Sequence, residues 1–282
     1  MTSALATSSL CALGARRPGW LPALAPASGP GTGDRPAGRG PVALGTGGLP
    51  GARMVLAVTA RPGPESADLG GLLYAFRAAG ADLALLCLTR GEASALNSTC
   101  RPLEAVRPWE LQVAAGLLGV RSVAVADYPD GGLGYCPIPE LAQRVQRAIA
   151  QHDPDLILVP DPAGDPDDAR VACAVCQAAG QAEVPVAART TPDASGSWPV
   201  ELGSGTETAR AVQRCAAKVH ASQSEALPEI LRTLDGLSSR EHLRWLLPAP
   251  ASVPRPWSAT QVPEVAPASQ VRAATSASSA LA

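Results

Sequence analysis

The sequence predicts an α/β fold with a parallel sheet. Short apolar runs recur at regular intervals, amphipathic segments separate them, and single glycines close those segments. Residues 55–60 form the first apolar run, and residues 67–79 a helical segment ended by Gly80. Residues 83–88 read as a second strand, 106–118 as a helix stopping at Gly119, and 122–126 as a third strand. A helix over 138–151, a fourth strand over 156–159 and a helix over 169–179, closed by Gly180, continue the alternation. Strand–helix–strand units of this kind cross over right-handed and pair their strands in parallel. Ligands of such sheets bind beyond the carboxyl ends of the strands. The segments expected to carry function are therefore 61–71, 89–98, 127–134 and 161–168.

Beyond residue 183 the pattern weakens, and Pro185, Pro192 and Pro199 punctuate short β-like pieces. Residues 206–222 return as a helix, and 225–246 read as one or two more. Residues 1–53 are rich in Ala, Gly, Pro and Ser without sustained periodicity, a composition that cannot bury enough apolar surface to offset its ordering entropy. They are expected to be disordered, or an upstream extension wrongly joined to a chain that starts at Met54. Arg16 and Arg17 interrupt the apolar run that a secretory signal would need. Residues 248–282 read as a second disordered tail, which leaves 54–247 as the domain.

Composition excludes several function classes. With 23 basic and 25 acidic residues the net charge is -2, and no basic run marks a nucleic-acid surface. Lys218 is the only lysine and Asn97 the only asparagine, the mark of a GC-rich coding sequence and hence of a bacterial source. Seven cysteines, odd in number and scattered, do not make a disulfide framework; they fit a reducing compartment, and a cytoplasmic location is expected. No apolar stretch is long enough to span a bilayer.

Gly70 and Gly71 follow the first strand, but they fall inside the next helix. A dinucleotide fingerprint needs its glycines at the turn, where backbone approaches pyrophosphate. The stretch Ala60-Arg61-Pro62-Gly63-Pro64-Glu65, with its Gly-Gly pair, instead resembles the first signature of the LmbE/PIG-L family of zinc-dependent N-deacetylases, Ala-His-Pro-Asp-Asp-Glu. Further tags follow in order. Thr89-Arg90-Gly91-Glu92 resembles the family's Thr-x-Gly-Glu loop, and Arg107 with Glu110, then Leu118-Gly119-Val120, its Arg-x-x-Glu helix. Asp130-Gly131-Gly132-Leu133 is similar to its Asp-Gly-x-Leu turn, and Gly164-Asp165-Pro166-Asp167-Asp168 stands where it has Gly-His-Pro-Asp-His. His220-Ala221-Ser222-Gln223 matches its late His-x-Ser-Gln.

The resemblance implies a Rossmann-like, mostly parallel sheet flanked by helices. It also implies a reaction, metal-dependent hydrolysis of the acetamide of an N-acetylglucosamine conjugate, which makes an amino-sugar conjugate the expected partner. The family's first ligand histidine, general base and ligand aspartate fall here on Arg61, Gly63 and Pro64. Its intermediate-stabilising histidine, the aspartate orienting it and its last ligand histidine fall on Asp165, Asp167 and Asp168. Only Asp167 is retained at its position. Glu65, Thr89, Glu92 and His220 also remain, and Arg90, Glu92, Asp130 and His220 stand at candidate substrate-binding positions.

The replacements have physical consequences. Catalytic zinc needs three N, O or S ligands and a water. Arginine cannot shed its proton to become a ligand. Held about 4 Å from a divalent ion at an effective dielectric of roughly 20, Arg61 would meet about 8 kcal/mol of repulsion. Gly63 cannot accept a proton and Pro64 offers no ligand, so Asp168 alone keeps a donor at an inherited ligand position. The expectation is a homologue with zinc binding and catalysis lost or strongly impaired, acting through a bound ligand or partner. No tightly bound cofactor is expected, zinc being the cofactor only of a surviving family site. The alternative is an active hydrolase with a rearranged oxygen-rich metal site around Glu65, Asp68, Asp165 and Asp168.

Two local features have two readings each. Asp161, Asp165, Asp167 and Asp168 make either a site for a hard cation or, the preferred reading, a solvated acidic loop. Arg61 is also expected to occupy the former metal position and pair with Asp168 or Asp165. Cys173 and Cys176 have metal-site spacing, but without a second pair they read as small apolar residues on one buried helix face.

Overall fold

The first strand, β1 (Met54–Thr59), buries every residue but its first. Helices cover both of its faces, so it has no polar side and reads as one continuous apolar run. The computed structural model describes residues 48–95, 97, 99 and 101–248. The two expected tails, apart from residues 48–53 and Pro248, lie outside these residues.

Beside β1 lie β2 (Asp82–Thr89), β3 (Ser122–Tyr128), β4 (Leu156–Val159) and β5 (Val186–Arg189), all parallel. Two further strands, β6 (Trp198–Glu201) and β7 (Arg240–Leu247), extend the sheet antiparallel, giving the order β3-β2-β1-β4-β5-β7-β6. Successive side chains of a strand point to opposite faces. Leu56 and Val58 accordingly enter one apolar layer, with Val145, Ile149, Val171 and Val175. Val55 and Ala57 enter the other, with Phe76, Leu111 and Trp245. The first layer is built by α4 (Ile138–His152) and α5 (Pro166–Ala182). The second is built by α2 (Gly70–Ala78), α3 (Leu103–Leu117) and α6 (Thr206–Val219), following a single-turn α1 (Pro64–Ala67).

Several sequence expectations need correction. The helix expected over 67–79 is two helices: Pro64 starts α1 early, and the chain breaks at Asp68 and Leu69 before α2. Proline serves at a first helical position because its missing N–H would be unpaired there anyway. The helix expected to stop at Gly180 runs on to Ala182, where Glu183 adopts the left-handed conformation at φ 55°. It also begins earlier, at Pro166, because the Asp165 carboxylate accepts the Asp167 N–H at 2.8 Å. The helix expected over 206–222 breaks at His220, after which α7 (Ala221–Ser224) starts.

Residues 225–246 are not helical throughout. They form α8 (Glu229–Asp235) and then β7, in which Glu241, Leu243 and Trp245 point inward on alternate positions. That period of two was the signal to read. The domain also begins before Met54: Leu49 and Ala52 pack on the second apolar layer, and Arg53 N–H donates to Asp155 Oδ2 at 2.8 Å. Among the described residues no helix is long and apolar enough to cross a membrane.

Candidate functional site

Because β1 to β4 run parallel, the loops that follow them meet on one rim of the sheet. The loop into α1 brings Arg61 and Gly63, the loop after β3 brings Asp130, and the start of α5 brings Asp165 and Asp167. Opposite them, the end of α6 brings His220. Together they line a cavity of about 540 Å³.

Its floor is an ion pair. Glu65 and His220, both almost wholly buried, meet Oε1 to Nε2 at 2.5 Å. Ser66 Oγ donates to the same carboxylate at 2.7 Å, and Gly63 N–H donates to its other oxygen at 2.7 Å. Burial alone would raise the Glu65 carboxyl, but the His220 charge and these donors hold it below its usual range. Burial would likewise lower His220, and Glu65 reverses that, raising the imidazole above its usual value.

Arg61 Nη2 donates to Asp165 Oδ2 at 2.9 Å. Of the two pairings expected for Arg61, this is the one formed. Burial would raise Asp165, but the hydrogen bond and charge of Arg61 keep it low. Its neighbours fare differently. Burial pushes Asp168 up to about 7, with Arg61 offsetting only part. Burial also raises Asp68 and Asp167. Asp167 Oδ2 and Asp168 Oδ1 are buried without a hydrogen-bond partner among the described residues.

The expected substrate-binding residues divide. Asp130 and His220 line the cavity; Arg90 and Glu92 do not. Arg90 turns outward to Asp127, Nε to Oδ1 at 2.7 Å. Glu92 accepts the Asp130 N–H at 2.9 Å, while Asp130 accepts from Thr89 Oγ1 at 3.2 Å and from Ala93 N–H at 3.0 Å. These two loop tags therefore splice the β2 and β3 loops together.

The acidic loop does not converge. Asp161 accepts from Thr190 Oγ1 and the Ala163 N–H, away from Asp165 and Asp168. Cys173 and Cys176 are both half-buried on α5; Cys176 packs on the first apolar layer, and burial pushes its thiol up to about 12.

Sequence reasoning missed the cavity roles of Arg107 and Gln223, and placed Asp68 at the site only in the alternative, oxygen-rich metal reading. Arg107 is almost fully buried, donates to Gly91 O at 2.6 Å and reaches the cavity wall. Its helix partner Glu110 accepts from Ser222 N–H at 2.8 Å and Ser222 Oγ at 2.6 Å, fixing α7 and hence His220. The Arg-x-x-Glu and His-x-Ser-Gln spacings were the signal: the first places Arg107 at the cavity and Glu110 behind it, the second His220 and Gln223 at the cavity and Ser222 behind.

The residues do not fit a zinc ion. Among the described residues no three His, Cys, Asp or Glu side chains come together as a metal-holding group, and that includes Glu65, Asp68, Asp165 and Asp168. Glu65 is committed to His220, and Asp165 to a guanidinium that would repel the ion.

Comparison with known proteins places this geometry. Residues 56–179 match the PIG-L family, described as GlcNAc-PI de-N-acetylase. A Bacillus anthracis protein named "Probable N-acetyl-alpha-D-glucosaminyl L-malate deacetylase 2" is 30% identical over 111 residues, 38% of this chain and 49% of that protein. The match thus spans about half the length of this curated relative. Among solved structures, the N,N'-diacetylchitobiose deacetylase from Pyrococcus horikoshii superposes with a TM-score of 0.57 at 20% identity, over 70% of this chain and 84% of that one. GalB, the 4-carboxy-2-hydroxymuconate hydratase from Pseudomonas putida, superposes with a TM-score of 0.51 at 18% identity, over 72% of this chain and 100% of that one. These likenesses establish the LmbE/PIG-L deacetylase fold. The two activities named on it are reminders that function lies in the site.

Proposed function

The chain carries a PIG-L family domain over residues 56–179, and on that premise we propose that its cavity binds an amino-sugar conjugate without hydrolysing it. The observation that carries this reading is the Arg61–Asp165 pair, with its guanidinium at a position that resembles a metal ligand of the family. A guanidinium there supplies a fixed positive charge and hydrogen-bond donors, but it cannot activate a water as zinc does. Gly63 has no side chain to act as base, and its backbone N–H is spent on Glu65.

What remains supports binding. The Glu65–His220 floor, the Arg107 wall and the spliced β2 and β3 loops hold a preformed cavity of the size small ligands occupy. Metal analysis and an acetate-release assay on the purified protein test the proposal. Substoichiometric zinc and no chelator-sensitive release from N-acetylglucosamine conjugates are expected. One tightly held zinc per chain with chelator-sensitive release would overturn it.

A further inference from the structure

The sheet ends in two unlike edges. At one, β6 carries Pro199, which has no N–H to offer a further strand, and Glu201, which Arg240 binds. At the other, β3 reads Ser-Val-Ala-Val-Ala-Asp-Tyr, with no proline and no charge before Asp127. Val123, Ala124 and Val125 are only half-buried there. An apolar edge of this kind is a template for another strand, and natural sheets normally guard it.

The backbone shows which groups face outward. Arg121 N–H donates to Leu83 O at 3.0 Å, so its peptide groups turn toward β2. Peptide groups alternate along a strand, so Val123 and Val125 also turn toward β2, opposite Leu85 and Cys87. Ser122 and Ala124 therefore present their N–H and C=O groups away from β2. Among the described residues no other backbone bonds to them. The register shift between Cys87 and Thr89 lies at the far end of the strand.

The side chains point to the partner. Val123 and Val125 belong to the second apolar layer, and Ala124, Ala126 and Tyr128 to the first. By the same alternation Arg121 and Asp127 stand on the side of the two valines, and both are exposed, with 63% and 82% of their side chains accessible. The pattern Arg-x-Val-x-Val-x-Asp complements itself when reversed.

We infer that a second copy of this chain pairs here, β3 against β3 about a two-fold axis, so that one sheet runs through both copies. Centred on Ala124, the antiparallel pairing sets Ala124 against Ala124, Val123 against Val125, and Arg121 against Asp127 at each end. Within each chain Arg121 already holds Asp82 at 2.9 Å and Asp127 holds Arg90 at 2.7 Å, so each end becomes a run of four alternating charges. A slip of two residues loses both cross-strand ion pairs, which fixes the register. A contact of one patch with itself closes at two copies, and the guarded β6 edge stops the sheet from growing further.

Sedimentation of the full chain tests this. A dimer that dissociates on dilution is expected, and amide exchange over residues 122–126 should slow as the chain associates. Ala124→Pro removes an outward N–H but none bonded within the sheet, and should give a folded monomer. Arg121→Asp and Asp127→Arg each set like charges opposite one another and should weaken association at least about tenfold. Mixing these two variants restores opposite charges at both ends, so the mixture should associate more tightly than either alone. Both side chains are exposed, so these two changes spare the fold even where Ala124→Pro disturbs it. A chain that stays monomeric at every concentration overturns the inference, and protected amides over 122–126 in that monomer would give the edge to another segment of the same chain. A dimer indifferent to the variants, or one not restored on mixing, overturns it as well.

Discussion

Arg61 and Asp165 stand 104 residues apart in sequence and meet Nη2 to Oδ2 at 2.9 Å where the strands end. The contact joins the first loop to the start of α5, pairing a position that resembles a metal ligand of the family with one that resembles its intermediate-stabilising histidine. Both side chains are about one-third exposed, so solvent screens part of the attraction. A double-mutant cycle of Arg61→Ala and Asp165→Asn should give a coupling of about 1 kcal/mol in urea unfolding. Strictly additive losses would show that the pair does no work.

The Glu65–His220 pair should write itself into the pH dependence of stability. Glu65 is held below its ordinary 4.5, so its contribution is present above that value and lost as pH falls through the depressed one. His220 is held above its ordinary 6.5, so its contribution is full below that value and lost as pH rises through the raised one. Together they contribute most between those two ordinary values. His220→Gln should lower stability by about 3 kcal/mol there, because it leaves a buried carboxylate without its cation. Urea titrations across the range check it: a constant difference between variant and parent at every pH would contradict the pairing.

Gly63 sits at φ 122°, and a Cβ there would lie 3.0 Å from Gln223 Oε1. An L side chain is strained in that conformation, so Gly63→Asp alone should cost about 1–3 kcal/mol. The change would show as a lower melting temperature.

Rebuilding the family residues together, Arg61→His, Gly63→Asp, Pro64→Asp, Asp165→His and Asp168→His, tests whether fold and site have come apart. The five-fold variant should gain one zinc per chain, while the single variants gain none, because ligands act as a unit. That gain requires the loop around residue 63 to change its backbone. A folded five-fold variant without zinc means the loops have diverged along with their side chains.

The residues just before β1 belong to the domain. A chain starting at Met54 loses the Leu49 and Ala52 contacts and the Arg53 N–H bond to Asp155. It should be less stable than one starting at Gly48 by about 1–2 kcal/mol, or a few degrees in melting temperature. Equal melting temperatures would return the boundary to Met54.

The sequence by itself determined the four parallel strands β1 to β4 and the loops that bear the site. Fully buried strands such as β1 and β4 are written as unbroken apolar runs, and βαβ handedness then sends their loops to one rim. The residue types at Arg61, Gly63 and Pro64, set against the family signature that this stretch resembles, were equally legible, since chemistry follows residue type. Only the tertiary structure decided which carboxylate Arg61 meets, that Arg90 faces away from the cavity, and that residues 240–247 form a strand between β5 and β6. Glu241 lies buried between Arg189 and Arg210, partners 52 and 31 residues away. The physical reason is one and the same: local patterns encode burial and backbone period, whereas the partner of a charge is set by residues that become neighbours only when the chain is packed.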